Sequence, residues 1–241
     1  MDMHISGSGK IPAGEYDSIR ISGSGSLHGL VRCNSMAISG SAHGETLCCN
    51  ESIRVSGSAH FSQDVTTANL VVSGSAHTQG SITASGEVKL AGGVHCEKNL
   101  KAATLIVAGG LNVGGDIEAE TARMHGGICC SGLLNAEEIE IETDGHTKIG
   151  SIGGSKIVIT KKNGKNGKKR LSLFSKISGK RHVTTIEQAI EGDDIAIENV
   201  ICPRVSGRVV AVGEDCEIAL LQYGERYEIH EKAKVGRIER I

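Results

Sequence analysis

One phrase recurs along the first third of this 241-residue chain, and its spacing decides what the chain can fold into. It reads IRISGSG from Ile19, MAISGSAHG from Met36, IRVSGSAH from Ile53 and LVVSGSAH from Leu70. The second apolar residue of each copy falls at Ile21, Ile38, Val55 and Val72, three successive gaps of 17 residues. The same ruler reaches Ile5 upstream and Leu90, Val107, Met124, Ile141 and Ile159 downstream, with gaps of 16 to 18. An apolar or small partner stands two residues earlier each time, from Met3 and Ile19 through Ala122 to Ile157. Apolar residues at i and i+2 around a variable one have the period of a strand. A short repeat of this kind builds stacked units, each touching only its neighbours.

A glycine follows the pair at a fixed phase, at Gly7, Gly23, Gly40, Gly57, Gly74, Gly92, Gly109 and Gly126. It marks a corner that needs either positive φ or close backbone stacking. Two further inward rows are expected, one at Leu30, Leu47, Val65, Ile82, Leu100, Ile117 and Leu134. The other, mostly small, runs through Cys33, Asn50, Thr67, Ala84, Ala102, Ala119 and Ala136. Each unit of about 17 residues thus divides into three short strands. The expected fold is all-β, a single-stranded parallel β-helix, with ten turns over residues 1–160 stacked at roughly 4.8 Å. A strict left-handed hexapeptide helix would have an 18-residue turn, so the right-handed form is favoured.

Composition supports a narrow core. Gly numbers 33, Pro 2, and there are five aromatic residues and no Trp. Three sides of five or six residues enclose too little space for many rings, so Val, Ile, Leu and Ala fill it. At 39% hydrophobic residues the chain is not expected to be disordered, and a net charge of −2 gives no general case for nucleic acid. No apolar run is long enough for a spanning helix, and MDMHISGSGK lacks the features of a signal peptide. Eight cysteines without a secretion signal read as thiols in a reducing compartment, so a cytoplasmic location is expected.

The ruler is interrupted at residues 161–182 by KKNGKNGKKRLSLFSKISGKRH. Nine Lys or Arg and no acid occur between Lys161 and Arg181. Apolar Leu171, Leu173, Phe174 and Ile177 would gather on one side of a short helix, with Lys169, Lys176 and Lys180 towards the other. The expected membrane contact is these four apolar residues with Lys168, Lys169, Arg170 and Lys176. Basic groups with apolar anchors suit an anionic membrane surface, whereas a solvated loop accounts for the same composition. Nucleic acid is disfavoured because aromatic interleaving is absent. Beyond the insert, Ile195 with Ile197, Val210 with Val212, and Ile218 with Leu220 resume the alternation, so residues 183–241 read as further turns of the same solenoid.

Candidate chemistry is thin. His43, His60, His77 and His95 form one column, continued by Asn112, Cys129 and His146. Imidazoles spaced by one strand separation can hold a transition metal. A duplicated unit copies its residues as well as its fold, however, and the column is read as a surface ladder without metal or cofactor. The pairs Cys48-Cys49 and Cys129-Cys130 point to opposite faces of their strands and make no two-ligand clamp. The Ser-Gly-Ser strings lack the following helix and Lys of a phosphate loop. No catalytic constellation is present, and a non-enzymatic role is expected.

A solenoid leaves an unpaired strand edge at each end unless something covers it. The first pair begins at Met3, leaving no room for a cap, and the last stretch shows no capping helix, so stacking of rods is expected. The expected joints are Met3, Ile5 and Ile11 at one end, and Leu220, Leu221, Tyr223 and Ile229 at the other. The stacked apolar-x-apolar-Ser-Gly turns, together with the tail DDIAIENV…VSGRVVAVGEDCEIALLQYGERYE, resemble the bactofilins, a bacterial polymer-forming cytoskeletal family, in the longer form found in Firmicutes. The resemblance implies nucleotide-independent, non-polar filaments built end to end, often at the inner face of the cell membrane. It implies partners in the chain itself, in other bactofilins and in envelope proteins. Two rivals stand beside it: a left-handed β-helix acyltransferase acting at His60 or His77, and a binding module resembling the MinC C-terminal domain.

Overall fold

The computed structural model describes residues 1–143, 146–161 and 183–241. Among them every regular element is a strand, and every pairing is parallel. The strands stack as a β-solenoid of about 13 coils with about 17 residues per coil. At the usual spacing of paired strands the rod is about 60 Å long.

Three faces run along the rod. The first carries the recurrent apolar pair, in the order Met3, Ile19, Met36, Ile53, Leu70, Val88, Leu105, Ala122, Ile139, Ile157, Ile195 and Val210, each in register with the next. The second residue of each pair is buried from Ile5 to Val212, as the 17-residue ruler requires. A second face, not visible in the repeat, sends Ile11, Leu27, Phe61, Cys96, Val113 and Cys130 inward. Size is balanced locally there. Gly44 pairs with Phe61, and a methyl group at Gly44 would stand 3.0 Å from the phenyl ring.

The third face bears the remaining rows, with a one-residue correction at its start. Val31, not Leu30, is the buried partner of Leu47, and Cys49, not Asn50, is the inward partner of Cys33. Cys33 and Cys49 are 16 residues apart, and the register shift after them restores the longer step. Because side chains alternate between faces, a slip of one residue exchanges inside for outside. Downstream the row runs as expected through Val65, Ile82, Leu100, Ile117 and Leu134.

Corners after the first face follow one pattern. The Ile21 carbonyl accepts from the N–H groups of both Ser39 (2.9 Å) and Gly40 (3.2 Å), while Ser41 N–H reaches the Gly23 carbonyl at 2.8 Å. The same three bonds recur one coil later at Ser56, Gly57 and Ser58. The chain therefore turns without leaving buried backbone groups unpaired. At Gly40, Gly57 and Gly74 close stacking, rather than positive φ, demands glycine, since a Cβ would lie 2.0 Å from the glycine carbonyl of the coil below; Gly126, at φ 123°, adds the second reason.

The Thr147–Lys161 and Thr184–Ile197 strands pair directly, with Ile157 against Ile195 and Ile159 against Ile197. The rod therefore continues across a segment of 38 residues as though one coil had been added. The Thr147–Lys161 strand ends, and the Thr184–Ile197 strand begins, at the corner after the first face. Further on, Ser-Gly corners give way to Asn199 and Asp215, at φ of 56° and 57°, a left-handed conformation that Asn and Asp tolerate.

Candidate assembly interface

The two end faces of the rod differ. In the first coil Ile5 and Tyr16 are each 7% exposed and Ile11 is fully covered, although no coil lies above them. Tyr16 occupies the inward position above Cys33, and its hydroxyl donates to the Pro12 carbonyl at 3.0 Å. The N-terminal residues hold this coil closed: Asp17 N–H donates to the Met1 carbonyl at 2.9 Å, Met1 pairs with the Asp17 carboxylate, and Ser18 Oγ donates to Asp2 at 2.7 Å. Of the expected joint residues, Ile5 and Ile11 are thus already buried and Met3 is half-buried.

At the other end the Lys234–Arg240 strand lies on the Glu217–Ile229 strand, with Leu220 against Arg237 and Leu221 against Ile238. Leu221 is fully buried beneath it and Leu220 is half-buried. Two core columns end uncovered here: Tyr227, 40% exposed, continues the Val210 column beyond the reach of the last strand, and Ile238, 41% exposed and on that strand, continues the Leu221 column. Ile229 and Val235 are half-buried beside them. The rings of Tyr223 and Tyr227 are 4.6 Å apart, centroid to centroid. Of the expected joint residues, Ile229 lies at this surface and Tyr223 touches Tyr227, while Leu220 and Leu221 lie beneath the last strand, which the weak pattern around Lys234 and Arg240 hid.

The histidine column is real as far as His95. His43, His60, His77 and His95 are successive register partners, followed by Asn112 and Cys129. The next member is Lys148, not His146, because Ile128 pairs with Thr147. Cys33 and Cys49 form a buried register pair joined by a hydrogen bond that raises the Cys33 thiol and lowers that of Cys49. Burial pushes the Cys130 and Cys202 thiols up to about 11. Inward thiols at Cys96, Cys130 and Cys202 donate to backbone carbonyls and serve as small core residues. All eight cysteines are free.

The expected membrane-contact residues, Lys168, Lys169, Arg170, Leu171, Leu173, Phe174, Lys176 and Ile177, lie outside the described residues. Among the described residues no helix is long and apolar enough to cross a membrane.

Residues 1–83 match the bactofilin family, described as polymer-forming cytoskeletal. The uncharacterized protein YhbF of Bacillus subtilis (strain 168) is 32% identical over 111 residues, covering 43% of this chain and 42% of its own length. The chain thus spans less than half the length of that curated relative. No solved structure matches it.

Proposed function

We propose that this chain, which carries a bactofilin domain over residues 1–83, is a non-enzymatic cytoskeletal scaffold whose rods join end to end into filaments without nucleotide. The observation that carries this reading is the C-terminal end face. Tyr227 and Ile238 sit in columns that are otherwise core, yet each is about two-fifths exposed. The last coil also presents an unpaired parallel edge, a template for another strand. A second copy supplies both an edge of matching spacing and an apolar face. Joining two such faces covers two Tyr227 and two Ile238 side chains, each contributing roughly 1.5–3 kcal/mol on full burial. The closed first coil makes the N-terminal face the weaker joint.

Purified protein at micromolar concentration, imaged by negative-stain electron microscopy without nucleotide or metal, should show filaments about as thick as one or a few rods. Discrete rods of about 60 Å at every concentration would sink the proposal.

Residues 161–182 extend it to a location at the inner face of the cell membrane. Nine basic groups from Lys161 to Arg181 flank Leu171, Leu173 and Phe174, and each near-surface Lys or Arg adds about 1 kcal/mol on an anionic leaflet. The full chain should pellet with vesicles containing phosphatidylserine, and a variant with residues 162–182 replaced by a short Gly-Ser linker should remain in the supernatant. Equal pelleting of the two would remove the membrane claim while leaving filament formation intact.

A further inference from the structure

We propose that His77, His95 and Glu97 form a binding site for a divalent transition-metal ion of the zinc class, clamping two adjacent coils. His77 and His95 are register partners on neighbouring coils, with ring centroids 4.8 Å apart. Glu97 follows His95 by two residues, just past the end of the Gly93–Cys96 strand, and turns its carboxylate back one coil, placing Oε1 3.2 Å from His77 Nε2. A donor atom from each of the three residues lies within 4.8 Å of the other two.

The His77–Glu97 separation is already that of two ligands on one ion. Bonds of about 2.0–2.1 Å to imidazole nitrogen and carboxylate oxygen, set tetrahedrally, place donor atoms about 3.3 Å apart. The remaining adjustment falls on His95, whose half-buried ring can turn about its side-chain torsions without moving the strand. Two imidazoles and a carboxylate are borderline donors, suited to Zn²⁺, Co²⁺ or Ni²⁺ rather than to Ca²⁺ or Mg²⁺, which favour oxygen alone. Three protein donors leave coordination positions for water.

The approach to the site is open. Gly93 and Gly110 flank His95 on the same outward surface, and a Cβ at either would meet nothing within 4 Å. They floor a shallow groove of about 490 Å³ lined by His77, His95 and Asn112. Earlier in the chain that position carries Ser58 and Ser75. Cys129 lies two coils beyond His95, about 9–10 Å at strand spacing, too far to share the ion. His60 is the neighbour on the other side of His77, its ring edge-on at 4.7 Å.

Isothermal titration calorimetry of the full chain with ZnCl₂ tests the site, with Co²⁺ absorption as a second readout of ligand number. One site of micromolar affinity is expected. His77→Ala and His95→Ala should each weaken it at least tenfold, and Glu97→Gln severalfold, while His28→Ala leaves it within twofold. All four side chains lie on the surface or half-buried, and unchanged melting of the metal-free variants checks that the fold is kept. Zinc binding that survives in the His77→Ala/His95→Ala double variant, or that is lost in His60→Ala but not in His95→Ala, would overturn the assignment. So would the absence of any zinc heat from the wild-type chain, which would leave only a hydrogen-bonded stack of imidazoles.

Discussion

Gly57→Val lowers the melting temperature of this solenoid by about 10 °C or more. A Cβ at Gly57 would stand 2.0 Å from the Gly40 carbonyl oxygen and 2.5 Å from that of Ser39. Both obstacles are backbone, so no rotamer change relieves them. The two coils must part at the corner, where Gly57 N–H donates to Ile38 and Ser58 N–H to Gly40. Overpacking of a well-filled site costs about 1–3 kcal/mol even when side chains can move, and about 3 kcal/mol corresponds to roughly 6–12 °C in a chain of this size. Gly93→Ser is the matched control, since nothing stands within 4 Å of its Cβ and Ser75 precedes it in register. It should melt within a degree or two of the parent. Equal thermal shifts for the two variants would mean that the coils do not approach as closely as described.

Tyr227→Arg combined with Ile238→Lys raises the concentration needed for assembly by about a hundredfold or more. Both side chains are well exposed in the isolated rod, so the folded coil tolerates the change. In a joint, however, the loss of apolar burial at each site is roughly 1.5–3 kcal/mol, and unpaired cations are brought together at the seam. A change of 1.4 kcal/mol is tenfold in an equilibrium constant. Sedimentation over a concentration series measures the threshold, with Lys89→Glu on the outward side of the rod as the control. A double variant that pellets at the wild-type threshold would move the joint away from the C-terminal face.

Much of the rod was legible because its core obeys two numbers, the strand period of 2 and the coil period of 17. Ile21, Ile38, Val55 and Val72 reveal both at once, and each is buried where the ruler places it. Cys49 and Val31 were misplaced because a 16-residue step carries no mark in the residues themselves; the slip lies in a bulge between Cys33 and Ser35. The second face was invisible for another reason. Its inward residues include Gly9, Gly25, Ala42 and Thr78, which carry little hydrophobic signal. Lys148 displaced His146 from the imidazole column because the ladder follows hydrogen-bond register and not the nearest residue of the same kind. At the ends the sequence pointed to apolar edges. It could not reveal that Tyr16 folds its own coil shut, or that one more strand covers Leu221. Those depend on where the pattern stops, and a periodic signal is weakest at its limits.

The uniform pairing of each coil with its immediate neighbours makes the rod close to a one-dimensional lattice. Among the described residues no strand reaches across several coils to bind the structure together, so each coil's order rests on the one before and the one after. Unwinding in such a lattice begins at the termini, where a coil has a single neighbour, and travels inward like a zipper. A closed first coil protects one terminus. The last described coil is not closed in this way, with Tyr227 and Ile238 each about two-fifths exposed, so fraying is expected to start there.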